Sequence, residues 1–565
     1  VPTKILIIGG VAGGATAAAR ARRLDERAEI IIFERGEHIS FANCGLPYYI
    51  GQVIKERDDL LVTTAEAFRQ RYAVDIRIFS EVTRIDRTNK QVEVRNLATG
   101  QTYPESYDKL ILSPGAQPVK PPLEGVDLEG VFNLRNIPDA DRIKARLETN
   151  PPEAAVVVGG GFIGLEMVEN LVQRGVRTTI LEMLDQVMPA LDYEMAALVQ
   201  AHLKDKGVAL ELGAGVKSIA RRGGRLAVVT TKGGRIDCDL VILSIGVSPE
   251  NKLAREAGLK LGQRGGIRVD ATMRTSDPDI FAVGDAVEVR DFITGRPTMT
   301  ALAGPANKQG RIAADNALGR RSVFRGTLGT AVAKVFELAV ASTGASEKIL
   351  QSHDIPFLAS YTHSGSHASY YPGAEMMALK LLFSPGSGRI LGAQIVGGQG
   401  VDKRIDVLAT AIRASMTVFD LEELELAYAP PYSSAKDPVN IAGFVAANIL
   451  KGDVKNINWN ELAGLDRNQV ALIDLRNQDE LDEAGRVVGA KHIPLPELRA
   501  KLAELDRGKD YVTVCAVGLR AYVAHRILVQ NGFSSRNLAG GYRTYLGAKE
   551  KIMRESPDTP LWRSE

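Results

Sequence analysis

Cysteine is scarce in this sequence: Cys44, Cys238 and Cys515 are the only three in 565 residues, and they stand far apart. A disulfide framework is thereby excluded as the source of stability, and a reducing compartment, the cytoplasm, is expected. Charge of one sign is also lacking. The 70 Lys and Arg balance 68 Asp and Glu to a net +2, with no basic block among them. Such a chain has no electrostatic footprint for nucleic acid and none for an anionic membrane surface. No apolar run approaches the ~20 residues of a membrane span. The run from Ile5 to Ile8 is short for a signal peptide and enters a glycine turn, so none is expected. What remains is 45% hydrophobic and 24% charged, an ordinary globular composition. At ~150 residues per domain this length predicts three or four domains.

An apolar run over 4–8 enters Gly9, Gly13 and Gly14, and an Ala/Arg-rich helix follows over 15–24. A second apolar run over 28–33 ends in Glu34. The pattern predicts strand, turn, helix and strand, with an acid at the second strand's tip. It recurs: the run 154–158 enters Gly159, Gly161 and Gly164, and the run 177–182 ends in Glu182. A glycine turn at a helix N-terminus offers backbone N–H groups and a favourable dipole to a pyrophosphate. The second copy is complete, with Phe162 and Ile163 between its glycines. In the first, Val11 stands where the middle glycine belongs, followed by Ala12. Glu182 is placed to accept from a ribose 2′-OH, and Met183 beside it is not an arginine, so NADH is expected ahead of NADPH.

After Asn316 the texture changes to short alternating segments, read as an α+β domain over 326–447. The polar, Asn-rich stretch 448–466 reads as a linker, and buried-strand signals at 469–474 and 511–515 predict a separate α/β domain over 467–565. The fold class is α/β: two Rossmann-like units, then this α+β domain and the C-terminal α/β domain.

The segment from Thr275 to Ala286, with Gly284 and Asp285, resembles the second FAD signature of the two-dinucleotide flavoprotein disulfide reductases. Segments 110–116, with Ser113 and Gly115, and 241–247, with Gly246, resemble that family's crossovers between FAD and NAD domains. The resemblance covers residues 1–447. It implies FAD on 1–115 with 250–325, NADH on 116–249, and dimerisation through 326–447. It also implies that Asp285 bonds the ribityl chain of FAD, and that Arg35, Ser40, Asn43, Val82 and Ala303 line the cofactor.

Just past the first acid lies a Gly/Pro loop from Ile39 to Tyr48 that contains Cys44. A thiolate beside an oxidised flavin is the reactive form of such a cysteine. Glutathione reductase and its relatives use a Cys-x4-Cys pair, but here Tyr49 occupies the second position. Chemistry at Cys44 therefore passes through a mixed disulfide, a sulfenate or a persulfide. The loop resembles the single-cysteine branch, which holds coenzyme A-disulfide reductase, NADH oxidase and NADH peroxidase. Segments 369–373 and 428–437 resemble the first of these. That resemblance implies that Tyr370 and Tyr428 of a partner subunit approach the cysteine and that Lys436 contacts coenzyme A. Ser40, Asn43, Arg20 and Arg23 are further candidates for the substrate side, the two arginines sharing a helix face. The family's histidine contact is replaced at Met299 or a neighbour.

Residues 473–477, 489–494 and 538–545 resemble a rhodanese domain, and between them Cys515 ends a strand and opens a loop before Arg520. A loop of this kind curls N–H groups around the sulfur; with the helix N-terminus and Arg520 it should favour thiolate and suit a persulfide carrier. Cys238 reads as structural. The fusion resembles the coenzyme A-disulfide reductase–rhodanese proteins. The expected activity is FAD-dependent, NADH-driven reduction of coenzyme A persulfide, polysulfide or coenzyme A disulfide by a homodimer. An NADH oxidase or peroxidase with a regulatory rhodanese module is the alternative. No metal is called for.

Overall fold

The computed structural model describes residues 2–555 and the backbone of 562–563. The remaining residues of the expected C-terminal domain, and Val1, lie outside the described residues. The chain forms two units, Val1–Asp185 with Gly207–Gly329, and Gln186–Lys206 with Thr330–Glu565.

The first unit contains the same parallel sheet twice. One runs Ile280–Ala282, Lys109–Leu112, Lys4–Ile8, Glu29–Phe33, Asp75–Arg77 in spatial order. The other runs Ala209–Leu212, Arg177–Glu182, Ala154–Val158, Leu240–Leu243, Val131–Asn133. Strands covered on both faces read as unbroken apolar runs, and Ile5, Leu6 and Ile7 are accordingly fully buried. The helix Ala12–Leu24 crosses between the first two strands, and its Ala/Gly face lets Ala303–Ala317 approach closely: a Cβ on Gly310 would lie 2.2 Å from the Gly13 carbonyl. Both sheets place the glycine turns at the carboxyl ends of their central strands, where this topology binds ligands.

The second unit joins an antiparallel sheet to a parallel one. The antiparallel order is Ala331–Val335, Leu338–Gly344, Ile390–Gly397, Met376–Phe383, Leu358–Gly365. The parallel order is Asn456–Ile457, Ser534–Leu538, Asp510–Val514, Val470–Asp474, Ala490–His492. Here the structure departs from the expected linker at 448–466. Residues Asn456–Ile457 are the edge strand of the C-terminal sheet, and Trp459 and Leu462 are buried in its core with Tyr542 and Tyr545. Polar composition hides a strand that exists only through pairing with residues some 80 positions later.

The helix Tyr193–Asp205, expected within the NAD-binding span, clusters with this second unit. Lys380 is fully buried, its Nζ 2.9 Å from both Asp192 and Glu347 and in contact with Glu194. Tyr361 donates to Glu194 at 2.9 Å. Burial opposes the charge on Glu194, but Lys380 and these hydrogen bonds hold its carboxyl low. Burial pushes the Glu347 carboxyl up. Losing one charge from such a cluster costs ~3–5 kcal/mol, because its partners stay buried without compensation.

Candidate functional site

The two glycine turns are built alike. Gly9 and Gly159 carry φ values of +95° and +105°, and a Cβ on either would collide with a carbonyl of the neighbouring strand's end, Ser113 or Ser244. Gly14 and Gly164 pack so closely that a Cβ would lie 1.9 and 2.0 Å from the carbonyls of Gly9 and Gly159. In each turn the acid from the next strand is tied to backbone. Glu34 accepts from the N–H groups of Gly10 and Gly36 at 2.9 and 2.8 Å. Glu182 accepts from Gly160 and Leu184 at 2.7 and 2.8 Å. The acids thus brace the turns, with lone pairs left for a ribose.

The residues fit the nucleotides that the turns call for. Open space lies beside Gly115, Gly161 and Gly246, where a Cβ would meet nothing within 4 Å. The buried Ser244 hydroxyl has no hydrogen-bond partner there among the described residues. Phe162 and Ile163 begin the second helix, with Ile163 exposed. Val11 caps the first helix and Ala12 begins it, so the missing middle glycine leaves the turn intact. Ala303 likewise starts its helix, and Val82 is buried in the first unit's core.

Cys44 lies exposed in the 3-10 turn Asn43–Gly45. The loop is fixed to the first dinucleotide turn, because Ser40, at φ +49°, donates its N–H to the Gly10 carbonyl at 3.0 Å. Partial burial, followed by the carboxylates of Glu166 and Asp285, pushes the thiol up. Burial also pushes Asp285 up. Glu166 is raised to about 7, first by burial and then by Glu169. Tyr48 is pushed to about 12 by burial, Glu166, Glu169 and Cys44. Tyr49 is buried beneath the Lys144 ammonium, which stands 5.4 Å from its ring centroid. Arg35 pairs with Glu250 at 2.8 Å, and exposed Asn43 donates to the Arg135 carbonyl. Arg20 is turned onto Asp315 at 2.7 Å, whereas Arg23 is exposed, so the two do not form a free pair.

In the second unit Tyr370 and Tyr428, 58 residues apart, meet through their hydroxyls at 2.6 Å, and both are exposed. Lys436 is exposed. Cys515 is fully buried at the end of Asp510–Val514, with the Gly518 N–H pointing at its sulfur at 3.1 Å. Arg520 adjoins the sulfur, but its guanidinium is held by Glu480 through contacts of 2.6 and 2.5 Å. That counter-ion qualifies the expectation that Arg520 lends a net positive field. Cys238 is buried, its thiol pushed to about 12 chiefly by burial.

Residues 3–310 match the model of the pyridine nucleotide-disulphide oxidoreductases, 330–438 match that family's dimerisation domain, and 461–548 match a rhodanese-like domain. The chain belongs to the pyridine nucleotide-disulphide oxidoreductase family. It is 36% identical over 448 residues to the coenzyme A disulfide reductase of Staphylococcus haemolyticus, which covers 79% of this chain and 100% of that one. Its fold matches reduced CoADR-RHD of Bacillus anthracis with a TM-score of 0.95 and 50% identity, over 98% and 99% of the two chains. The NAD-dependent persulfide reductase from A. fulgidus gives 0.90 and 40%, over 96% and 100%. The water-forming NADH oxidase from Lactobacillus brevis gives 0.77 and 26%, over 80% and 99%. This family member is therefore an oxidoreductase with an appended rhodanese-like domain, and the family's cofactors are FAD and a pyridine nucleotide, as the motifs predict.

Sequence reasoning misses Tyr48, Glu166 and Glu480. Tyr48 lies in the cysteine loop itself. Glu166, two residues past Gly164, carries the only acidic side chain in the first half of the helix Phe162–Gln173. Glu480 sits 40 residues from Arg520, with no local signal.

Proposed function

We propose that this oxidoreductase uses NADH to cleave the sulfur–sulfur bond of coenzyme A persulfide, polysulfide or coenzyme A disulfide through Cys44 alone, with Cys515 delivering sulfane sulfur. One observation carries the reading. Cys44 is fixed beside the first dinucleotide turn, while buried Tyr49 fills the place of a partner cysteine. The second sulfur of any disulfide formed there comes from substrate. The names of the S. haemolyticus and A. fulgidus relatives support that substrate class, and the rhodanese-like match supports a sulfane carrier.

Attack of the Cys44 thiolate on coenzyme A persulfide forms a Cys44–coenzyme A disulfide and breaks the sulfur–sulfur bond, the electron pair leaving on hydrosulfide. Two electrons from NADH then cleave the mixed disulfide. Cys44 returns as thiolate, and coenzyme A departs with the proton that NADH oxidation releases. FAD, when bound, passes the electrons from nicotinamide to sulfur. Tyr48, protonated at neutral pH, holds a hydrogen-bond donor beside the cysteine. By family resemblance, Tyr370, Tyr428 and Lys436 serve the substrate in a homodimer, and Arg23 is the arginine left for a phosphate.

Anaerobic NADH oxidation is to be compared with coenzyme A persulfide, coenzyme A disulfide, polysulfide and peroxide side by side. The reading expects the sulfur compounds to outpace peroxide and hydrosulfide to match NADH consumed on persulfide. The likeness to the L. brevis oxidase favours a second reading, sulfenate cycling at Cys44. Peroxide consumption far above sulfide release, or oxygen consumption far above it in a parallel aerobic run, would establish it.

A further inference from the structure

Tyr361 and His363 lie two residues apart on the strand Leu358–Gly365, so both point to one face of the dimerisation sheet. That face meets the C-terminal domain at the residues that hold the Cys515 loop. His363 Nε2 lies 2.9 Å from the Thr544 hydroxyl, which in turn donates to the Gly540 carbonyl at 3.2 Å. A Cβ on Gly540 would stand 2.9 Å from Cβ of Tyr361. The next residues grip the cysteine loop from below. Tyr542 and Arg543 donate their N–H groups to the carbonyls of Cys515 and Ala516 at 2.8 and 3.0 Å. A Cβ on Gly541, at φ +63°, would lie 2.8 Å from the nitrogens of Val517 and Gly518. Gly518 is the residue whose N–H faces the sulfur.

The geometry points to Tyr361 and His363 as positioning residues for Cys515: the reductase's dimerisation sheet clamps the turn Gly540–Thr544, and the turn sets the loop that cups the sulfur. The clamp has a rigid back. Tyr361 is locked by Glu194 and the buried Lys380 cluster. His363 is lowered to about 4, first by burial and then by Arg543, against a hydrogen bond to Gly540. It therefore stays neutral across the physiological range. The sulfur-carrying geometry is in this way built by two domains, and a rhodanese domain cut from this chain would lose one wall of its loop support. This rests on the proposed role of Cys515 as sulfane carrier.

The test compares Thr544→Val, which removes the hydroxyl at constant shape, with Thr544→Ser, which keeps it, and with His363→Leu, which removes the ring nitrogen, all in the full-length flavin-loaded enzyme. Amide exchange over 516–518 is read first. It should rise about fivefold to tenfold in Thr544→Val and His363→Leu, the effect of one lost buried hydrogen bond, and stay at the wild-type rate in Thr544→Ser. Sulfur release from polysulfide-loaded Cys515 to cyanide should slow by a similar factor, while flavin reduction by NADH is unchanged. Wild-type exchange in both Thr544→Val and His363→Leu overturns the clamp, as does a Thr544→Ser enzyme as loose as Thr544→Val. Should one variant fail to fold, the other decides by the same exchange rate. A wild-type Cys515 that never gains sulfur removes the delivery step of the proposed function instead, and the exchange rates still decide the clamp.

Discussion

Cys44 stands exposed in a loop of the first unit, whereas Cys515 is fully buried at the end of a strand in the second. Their surroundings differ in kind. Near Cys44 the protein supplies burial and two carboxylates, Glu166 and Asp285, all of which disfavour thiolate. Near Cys515 it supplies a backbone N–H and an arginine whose charge Glu480 already holds. The first cysteine is set beside a dinucleotide turn and depends on what binds there. The second is organised by its own chain, through a loop braced from Tyr542 and Arg543. The two sulfurs are thus held in two ways, and the proposed function gives them different tasks: electron acceptance at Cys44 and sulfur carriage at Cys515.

The widest separation between the two comes from removing each sulfur. Cys44→Ser should lose NADH-driven reduction of every sulfur substrate by roughly 10³-fold or more, the scale for deleting a nucleophile. It should keep sulfur transfer to cyanide. Cys515→Ser should do the reverse, losing transfer and keeping reduction of coenzyme A disulfide, which needs no sulfane carrier. Parallel stopped-flow NADH oxidation and cyanide assays check both. A Cys44→Ser enzyme that still reduces disulfide breaks the division of labour.

Features that rest on a few consecutive residues are legible in the amino-acid sequence alone. Gly9, Gly14 and Glu34, and their counterparts Gly159, Gly164 and Glu182, announce the turn and the acid at the next strand's tip because a strand–turn–helix is local; that the acids also brace the turns is seen only in the structure. Cys44 without a partner at Tyr49 is equally local. The stretch 448–466 reads as a linker because Asn456–Ile457 becomes a strand only against Ser534–Leu538. Lys380 sits in an alternating segment where a lysine suggests the solvent face, yet it is fully buried, since its acids arrive from Asp192 and Glu194 far upstream. Arg20 and Arg23 share a helix, but Asp315 from a distant helix takes Arg20. In each case the deciding contact is long-range, and pattern alone carries no trace of it.

A smaller effect sharpens the account of Cys515. Arg520 and Glu480 form a bidentate pair beside the sulfur, and each neutralises what the other does to it. Arg520→Ala leaves Glu480 facing the site without its partner, and sulfur transfer should fall roughly tenfold to a hundredfold. Glu480→Gln frees the guanidinium, so transfer should rise a few fold. Steady-state cyanide assays at fixed pH read both signs. If the two variants change activity in the same direction, the pair acts by packing and its charge is irrelevant to the sulfur.

The smallest expected effect bears on Cys44 and has a definite sign in pH. Glu166 is raised to about 7 by burial and Glu169, so it is protonated below that value and ionised above it. Its negative charge is one of the causes that push the Cys44 thiol up. Glu166→Gln removes that charge only where it exists. At about pH 8 alkylation of Cys44 by iodoacetamide should be some two- to threefold faster in the variant, while at about pH 6 the two enzymes should react alike. The convergence at low pH separates loss of a charge from a change in access, which would speed or slow the reaction equally at both ends. A constant ratio across the range would assign the influence of Glu166 to the shape of the loop and leave Asp285 as the carboxylate that opposes the thiolate.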